Sequence, residues 1–297
     1  MSPQDLKLLS TNELKLFFNS FDTIICDIDG VIRHFQRNIE GAKKTLSLLK
    51  KNGKKIHFVT NNSTEIPEKL LPFLNDVNGE FGVEDIAMPS MALISYLKRL
   101  NLNQQIFIMG TSDFQKQFRD AGLSVFDSDS IVFLNVVGDL LDENVASDIG
   151  VVILDVDYEI NFVKLAKAVS CLRSDVVYLT GASDKYIPIT KTTPLMGPGL
   201  FHNMLYELTG KLPTNFGKPS SKFQEFVLRK FNITDPSKVL LIGDSLTQDI
   251  SFGENCGFQT LLVLTGVSTL EDIETDTIVP KYFLDKFTDL RDLLQHC

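Results

Sequence analysis

The chain has 297 residues, 43% hydrophobic and 23% charged, a balance that fits one large or two modest globular domains and excludes a disordered chain. Its 29 Lys+Arg against 38 Asp+Glu leave a net charge of −9, the wrong sign for a general nucleic-acid or anionic-membrane binder. A small anionic substrate in one locally positive pocket is not excluded. The cysteines, Cys26, Cys171, Cys256 and Cys297, have no CxxC or short spacing, so reduced thiols are expected rather than disulfides or a zinc site. No basic start followed by an apolar run opens the chain, and no 18-residue apolar stretch occurs; a soluble cytoplasmic protein without a membrane span is expected.

In chain order, apolar runs predict strands at 21–26, 55–59, 105–109, 150–154, 176–179, 238–243 and 259–264. Between them, helical periodicity covers 41–51, 89–100, 161–172 and 220–231. Short apolar strands alternating with helices indicate an α/β fold, and continuous apolar runs suit a parallel sheet buried on both faces. Pro89 fits a first helical position, with Lys98 and Arg99 in the last turn. Gly, Pro, Asp and Thr mark 78–90 and 183–199 as loops or crossings, and Asp139, Asp142 and Glu143 read as a solvated turn.

The first strand runs into Cys26-Asp27-Ile28-Asp29-Gly30. Residues two apart on a strand share a face, so both carboxylates can serve one pocket at the carboxyl end of a sheet strand. Alone, Asp-x-Asp-Gly serves equally well as a strand-end turn. The second strand ends in Thr60-Asn61-Asn62-Ser63, hydroxyls and amides suited to phosphate oxygens, or to a helix cap. Gly217-Lys218-Pro219-Ser220 sets a cation just before a helix start, where an anion gains from charge and free amides. A later apolar strand ends at Gly243-Asp244, with Asp249 five residues on.

In that order, Asp27/Asp29, Thr60, Lys218 and Asp244 resemble the four motifs of the haloacid dehalogenase superfamily. More closely, CDIDGVIR, HFVTNNST, IMGTSDFQKQFRDAG, NFGKPS, LLIGDSLTQDI and LTGVSTLEDIE resemble its 4-nitrophenyl phosphatase, phosphoglycolate phosphatase and pyridoxal phosphate phosphatase subgroup. The resemblance implies a Rossmann-like doubly wound parallel sheet interrupted by an α/β cap. The boundaries expected are core at 18–102 and 213–297, and cap at 103–212. It implies a Mg²⁺-dependent phosphomonoester hydrolase acting on a small phosphorylated metabolite through an aspartyl-phosphate. Asp27 would be the nucleophile and Asp29 the general acid/base. Asp27, Asp244 and the Asp29 backbone carbonyl would hold Mg²⁺, with Asp249 in support. Thr60, Asn61, Asn62 and Lys218 would bind the phosphoryl group. Thr247 stands where the family often has an acidic residue.

Residues 180–188 fall where the resembling family carries its substrate-specificity loop. Asp184 and Pro188 match the pattern and mark Asp184 as a substrate contact, whereas Gly181 and Ala182 replace an expected polar pair. Ile187 replaces the histidine of the pyridoxal phosphate phosphatases and cannot donate a hydrogen bond to a polar leaving group. Tyr186 and Ile187 are otherwise ordinary packing residues. Cys26 reads as buried packing next to the nucleophile, and His34 as a solvent-facing loop residue. The resemblance also implies a homodimer paired through the cap. The alternatives are a nucleotide 5′-phosphatase, a pyridoxal phosphate phosphatase, and a non-catalytic phospho-ligand binder on the same fold. Absence of a P-loop and of a strand-linked GxGxxG argues against kinase or dinucleotide chemistry.

Overall fold

Thr23–Cys26 and Val239–Gly243 lie side by side at the centre of a seven-stranded sheet. Moving outward on one side come Lys55–Val59 and Ile86–Ala87, and on the other Gln259–Val263, Tyr282–Leu284 and Gln4–Asp5. Every pairing is parallel. The chain therefore winds away in both directions from the central pair, and that pair is the topological switch point, where open α/β sheets form a crevice at the strands' carboxyl ends. Apolar side chains explain why these segments sit centrally: Ile24, Ile25 and Cys26 are at most 1% exposed, as are Leu240 and Ile242. Each fully buried Ile or Leu contributes roughly 1.5–3 kcal/mol. The computed structural model describes residues 3–76, 79–141, 148–172, 175–188 and 193–296; Asp142, Glu143 and Cys297 lie outside them.

The chain forms two compact units. The first comprises 1–60, 67–87 and 218–297, and the second 61–66 and 88–217. The second unit has its own parallel sheet, ordered Thr214–Asn215, Val177–Thr180, Ile149–Leu154 and Gln105–Met109. Phe107, Met109, Val152, Leu154, Tyr178 and Leu205 are buried in its core. An antiparallel hairpin, Tyr186–Pro188 with Pro194–Met196, occupies part of the expected 183–199 loop.

The boundaries differ from the expected 103 and 212. Helix Pro89–Leu100 belongs with the second unit because Ser90 Oγ donates to Gln117 Oε1 (2.6 Å) and the Tyr96 ring lies 5.0 Å from that of Phe216. The first unit also begins before residue 18. Gln4–Asp5 extends its sheet, and Thr11–Asn19, capped reciprocally by Ser10 and Glu13, buries Leu14, Phe17 and Phe18. Asp139 is another correction. It lies in helix Phe133–Leu141 and pairs with Lys167 at 2.8 Å, so it is no solvated turn residue. His34 is exposed, as expected. Cys26, Cys171 and Cys256 are buried, and burial pushes Cys26 well above the usual thiol range. Among the described residues no helix is long and apolar enough to cross a membrane.

Candidate active site

The switch point carries the chemistry. Asp27 and Asp244 directly follow the two central strands, and the Asp27 backbone N–H donates to Ile242 O at 2.8 Å. Lys218 reaches the same place: its Nζ donates to Asp27 Oδ1 (2.5 Å), Asp249 Oδ1 (2.6 Å) and Val59 O (3.2 Å). The other Asp249 oxygen accepts the backbone N–H groups of Asp244 and Ser245, both at 3.0 Å. Asp249 thus grips the lysine with one oxygen and shapes the strand end at Asp244 with the other. The expected anion position at the following helix start is already capped, because Ser220 Oγ accepts from Phe223 N. The lysine's partners are buried carboxylates instead.

Asp27, Asp244, Asp249 and Lys218 are all at most 7% exposed. One ligand oxygen from each carboxylate lies within 4.8 Å of the others. Three desolvated carboxylates face one ammonium, a charge excess that favours a further cation. Burial raises the Asp27 carboxyl well above the carboxylate range against the pull of Lys218. Burial, with Asp249 adding to it, pushes Asp244 up to about 7. Burial works to lower Lys218, but Asp249 and Asp27 outweigh it and hold the ammonium charged. Hard carboxylate oxygens converging in this way fit a Mg²⁺ ion. Close packing also fits a dedicated site. Val267 N donates to Asp244 Oδ2 at 2.8 Å, and a Cβ on Gly266 would lie 1.6 Å from that oxygen. Gly30, at φ +86°, offers the same clearance, since a Cβ there would be 2.3 Å away.

Asp29 leaves the strand in a tight turn in which Gly30 N donates to Arg33 O at 2.8 Å. Its Oδ1 accepts from Arg33 Nε at 2.8 Å. Arg33 is 1% exposed, and its guanidinium carbon lies 4.5 Å from the Phe73 ring centroid. The arginine therefore fixes the orientation of the expected proton donor. It was missed because a lone loop arginine gives no pattern, although its i+4 relation to Asp29 was available.

Thr60 is buried, with its backbone N–H donating to Ala87 O at 3.2 Å. Asn61, Asn62 and Asp184 belong to the second unit. Asn62 Oδ1 accepts from Thr64 N (3.0 Å) and Thr64 Oγ1 (2.8 Å), an Asx turn that commits its carbonyl locally. Thr247 Oγ1 lies 3.4 Å from Ser245 Oγ.

Within the second unit, the start of the 180–188 loop is tightly held. Thr180 Oγ1 donates to Ala182 O at 2.7 Å. His202 Nε2 lies 3.2 Å from the same carbonyl, which can only accept; Nε2 therefore carries the proton, and Tyr178 Oη donates to Nδ1 at 2.7 Å. Burial lowers the His202 pKa to about 4. Asp155, at the end of Ile149–Leu154, accepts from Gly181 N (2.9 Å), Val156 N (2.8 Å) and Ser63 Oγ. The sequence signal for Asp155 existed: an apolar run ending in aspartate, as at Asp27.

A family model described as haloacid dehalogenase-like hydrolase matches residues 24–124, and a second, HAD-hydrolase-like, matches 215–290. The chain is 30% identical to phosphoglycolate phosphatase 2 of Arabidopsis thaliana, over 99% of each protein. It is 29% identical to the 4-nitrophenylphosphatase of Schizosaccharomyces pombe, over 96% of this chain and 98% of the relative. Its fold is similar to that of the p-nitrophenyl phosphatase from Archaeoglobus fulgidus, with a TM-score of 0.78 and 29% identity over 92% of this chain and 99% of that one.

Proposed function

The chain belongs to the haloacid dehalogenase-like hydrolases and is a phosphatase of that family; from that premise we propose a Mg²⁺-dependent phosphomonoesterase that hydrolyses a small phosphorylated metabolite through an aspartyl-phosphate on Asp27. The observation that carries this reading is the buried cluster of Asp27, Asp244 and Asp249 around Lys218. Phosphoglycolate- and 4-nitrophenyl phosphate-type monoesters are the proposed substrates, in keeping with the names of the relatives.

An Asp27 carboxylate oxygen attacks phosphorus and forms the acyl-phosphate bond, while the bond from phosphorus to the leaving-group oxygen breaks. Asp29 gives its proton to that oxygen. It then takes one from the incoming water, whose oxygen attacks phosphorus, releasing phosphate and restoring Asp27. Lys218 offsets the charge of the attacking carboxylate, and Thr60, Asn61 and Asn62 hold the non-bridging oxygens. Bound Mg²⁺, held by Asp27, Asp244 and the Asp29 backbone carbonyl, would supply charge neutralisation and orientation of the phosphoryl group. Asp249 supports the metal side through the Asp244 backbone. The inserted unit acts as a cap whose 180–188 loop, with Asp184, contacts the leaving group.

Further parts of the reading concern setting. Buried cysteines without short spacing support a reducing, cytoplasmic compartment. Met204, Tyr206 and Leu208, exposed on helix Pro198–Thr209, with nearby exposed Leu212, support a homodimer paired through the cap. Initial rates over phosphoglycolate, 4-nitrophenyl phosphate, pyridoxal phosphate and nucleoside monophosphates test the substrate class, with chelation and Mg²⁺ add-back as the metal control. Turnover unaffected by chelation, or retained in full by Asp27→Asn, contradicts the mechanism.

A further inference from the structure

Asp155 is 2% exposed, and three donors converge on its carboxylate from different parts of the second unit. Ser63 comes from the short 61–66 segment that directly follows Thr60, whereas Gly181 is the second residue of the 180–188 loop. The space around this carboxylate is filled. A Cβ on Gly181 would lie 2.7 Å from Asp155 Oδ2 and 2.5 Å from Pro89 Cβ. That close approach accounts for glycine at a position where a polar side chain was expected; a bulkier residue cannot coexist with the hydrogen bond from Gly181 N to Asp155.

The second linker joins the same knot. Phe216 N donates to Thr180 O at 2.8 Å, Asn215 Nδ2 donates to Ser183 Oγ at 3.2 Å, and Asn215 Oδ1 accepts from Gly217 N at 2.8 Å. A Cβ on Gly217 would lie 2.1 Å from Gly181 O and 2.9 Å from Asn61 Oδ1. Asn61 follows Thr60 and Gly217 precedes Lys218, so the two crossing peptides are packed around Gly181 at the root of the loop.

We propose that Asp155 is a positioning residue for substrate selection: its carboxylate ties the Ser63 linker to Gly181, so the leaving-group loop is held in register with the crossing peptides next to Thr60 and Lys218. The inference rests on the phosphatase reading and on the loop's contact with the leaving group. An acceptor is needed on each side of the group, since Oδ1 receives a hydroxyl and an amide and Oδ2 receives an amide. In Asp155→Asn one of these backbone N–H groups must face an NH₂ group, a donor–donor contact that loosens the loop root.

The test compares wild type, Asp155→Asn, Ser63→Ala and the double variant, each with phosphoglycolate and with 4-nitrophenyl phosphate, in saturating Mg²⁺. The quantity read is the ratio of kcat/KM for the two substrates, which does not depend on the fraction of active enzyme. A merely structural role lowers both values together and leaves the ratio and both KM values unchanged. The expectation is a fall of about tenfold in the ratio for Asp155→Asn, carried mainly by a higher KM for phosphoglycolate, and of about threefold for Ser63→Ala. The double variant should be no worse than Asp155→Asn, since both remove one linkage. If Asp155→Asn does not fold, Ser63→Ala decides alone. A wild-type ratio in the folded variants overturns the inference while leaving the phosphatase reading intact. Failure of the wild type itself to hydrolyse either ester overturns both.

Discussion

Asp249 accepts a hydrogen bond from Lys218 Nζ at 2.6 Å, and the same ammonium donates to Asp27 Oδ1 at 2.5 Å. The lysine is therefore the centre of a buried charge network, and its removal strands three carboxylates. Lys218→Met should lower the stability of metal-free protein by about 3–5 kcal/mol, the cost of breaking a buried ion pair from one side. Activity should fall on the order of a thousandfold. Thermal unfolding with and without Mg²⁺ checks the first part: added Mg²⁺ should recover stability without recovering turnover. A stable, active Lys218→Met variant would contradict the charge accounting.

Gly266 makes a sharper prediction because its hypothetical Cβ would sit 1.6 Å from Asp244 Oδ2. Gly266→Ala should displace that carboxylate, weaken Mg²⁺ binding by about tenfold or more and lower kcat/KM correspondingly. Magnesium titration of activity, alongside isothermal calorimetry, reads both. Unaltered metal affinity would mean that the loop yields and Asp244 does not.

Arg33 holds Asp29 through its Nε at 2.8 Å. Arg33→Met, which keeps an apolar stem against Phe73, should lower kcat/KM for phosphoglycolate by about 10–100-fold through a misplaced proton donor. The loss should be much smaller for 4-nitrophenyl phosphate, whose phenolate leaves without a proton. Equal losses on both esters would remove Arg33 from the proton-transfer step.

Burial lowers the His202 pKa to about 4, against an ordinary 6.5. The neutral ring is the form held in the fold, so its contribution is complete above pH 6.5 and is lost as pH falls toward 4. The linked stability amounts to about 3 kcal/mol. Denaturant melts of wild type and His202→Gln between pH 7 and 4 should diverge in slope, the variant being flatter on the acid side. Parallel slopes would place the acid sensitivity elsewhere.

What the sequence made legible follows from how long each signal is. The strand at 55–59 is found at Lys55–Val59, and the one at 259–264 at Gln259–Val263, because continuous apolar runs have no other stable burial. The two-residue strands Gln4–Asp5 and Ile86–Ala87 carry no period and exist only through their neighbours. Asp27 and Asp244 were recognisable by strand-end placement and Lys218 by its place just before a helix start; the three side chains lie together, and the grip of Asp249 on Lys218 is a contact between residues 31 apart in sequence. Asp139 was misread because its partner Lys167 lies 28 residues away in sequence. Helix Pro89–Leu100 was legible as a helix, but its membership of the second unit depends on contacts with Gln117 and Phe216.

The central claim is that phosphorus passes through Asp27. Rapid acid quench during turnover, followed by borohydride reduction and peptide mass spectrometry, tests it directly, since an aspartyl-phosphate is reduced to homoserine where a free carboxylate is not. The account predicts homoserine at position 27, dependent on substrate and Mg²⁺, and none in Asp27→Asn. Homoserine at another aspartate, or full turnover by Asp27→Asn, would contradict it.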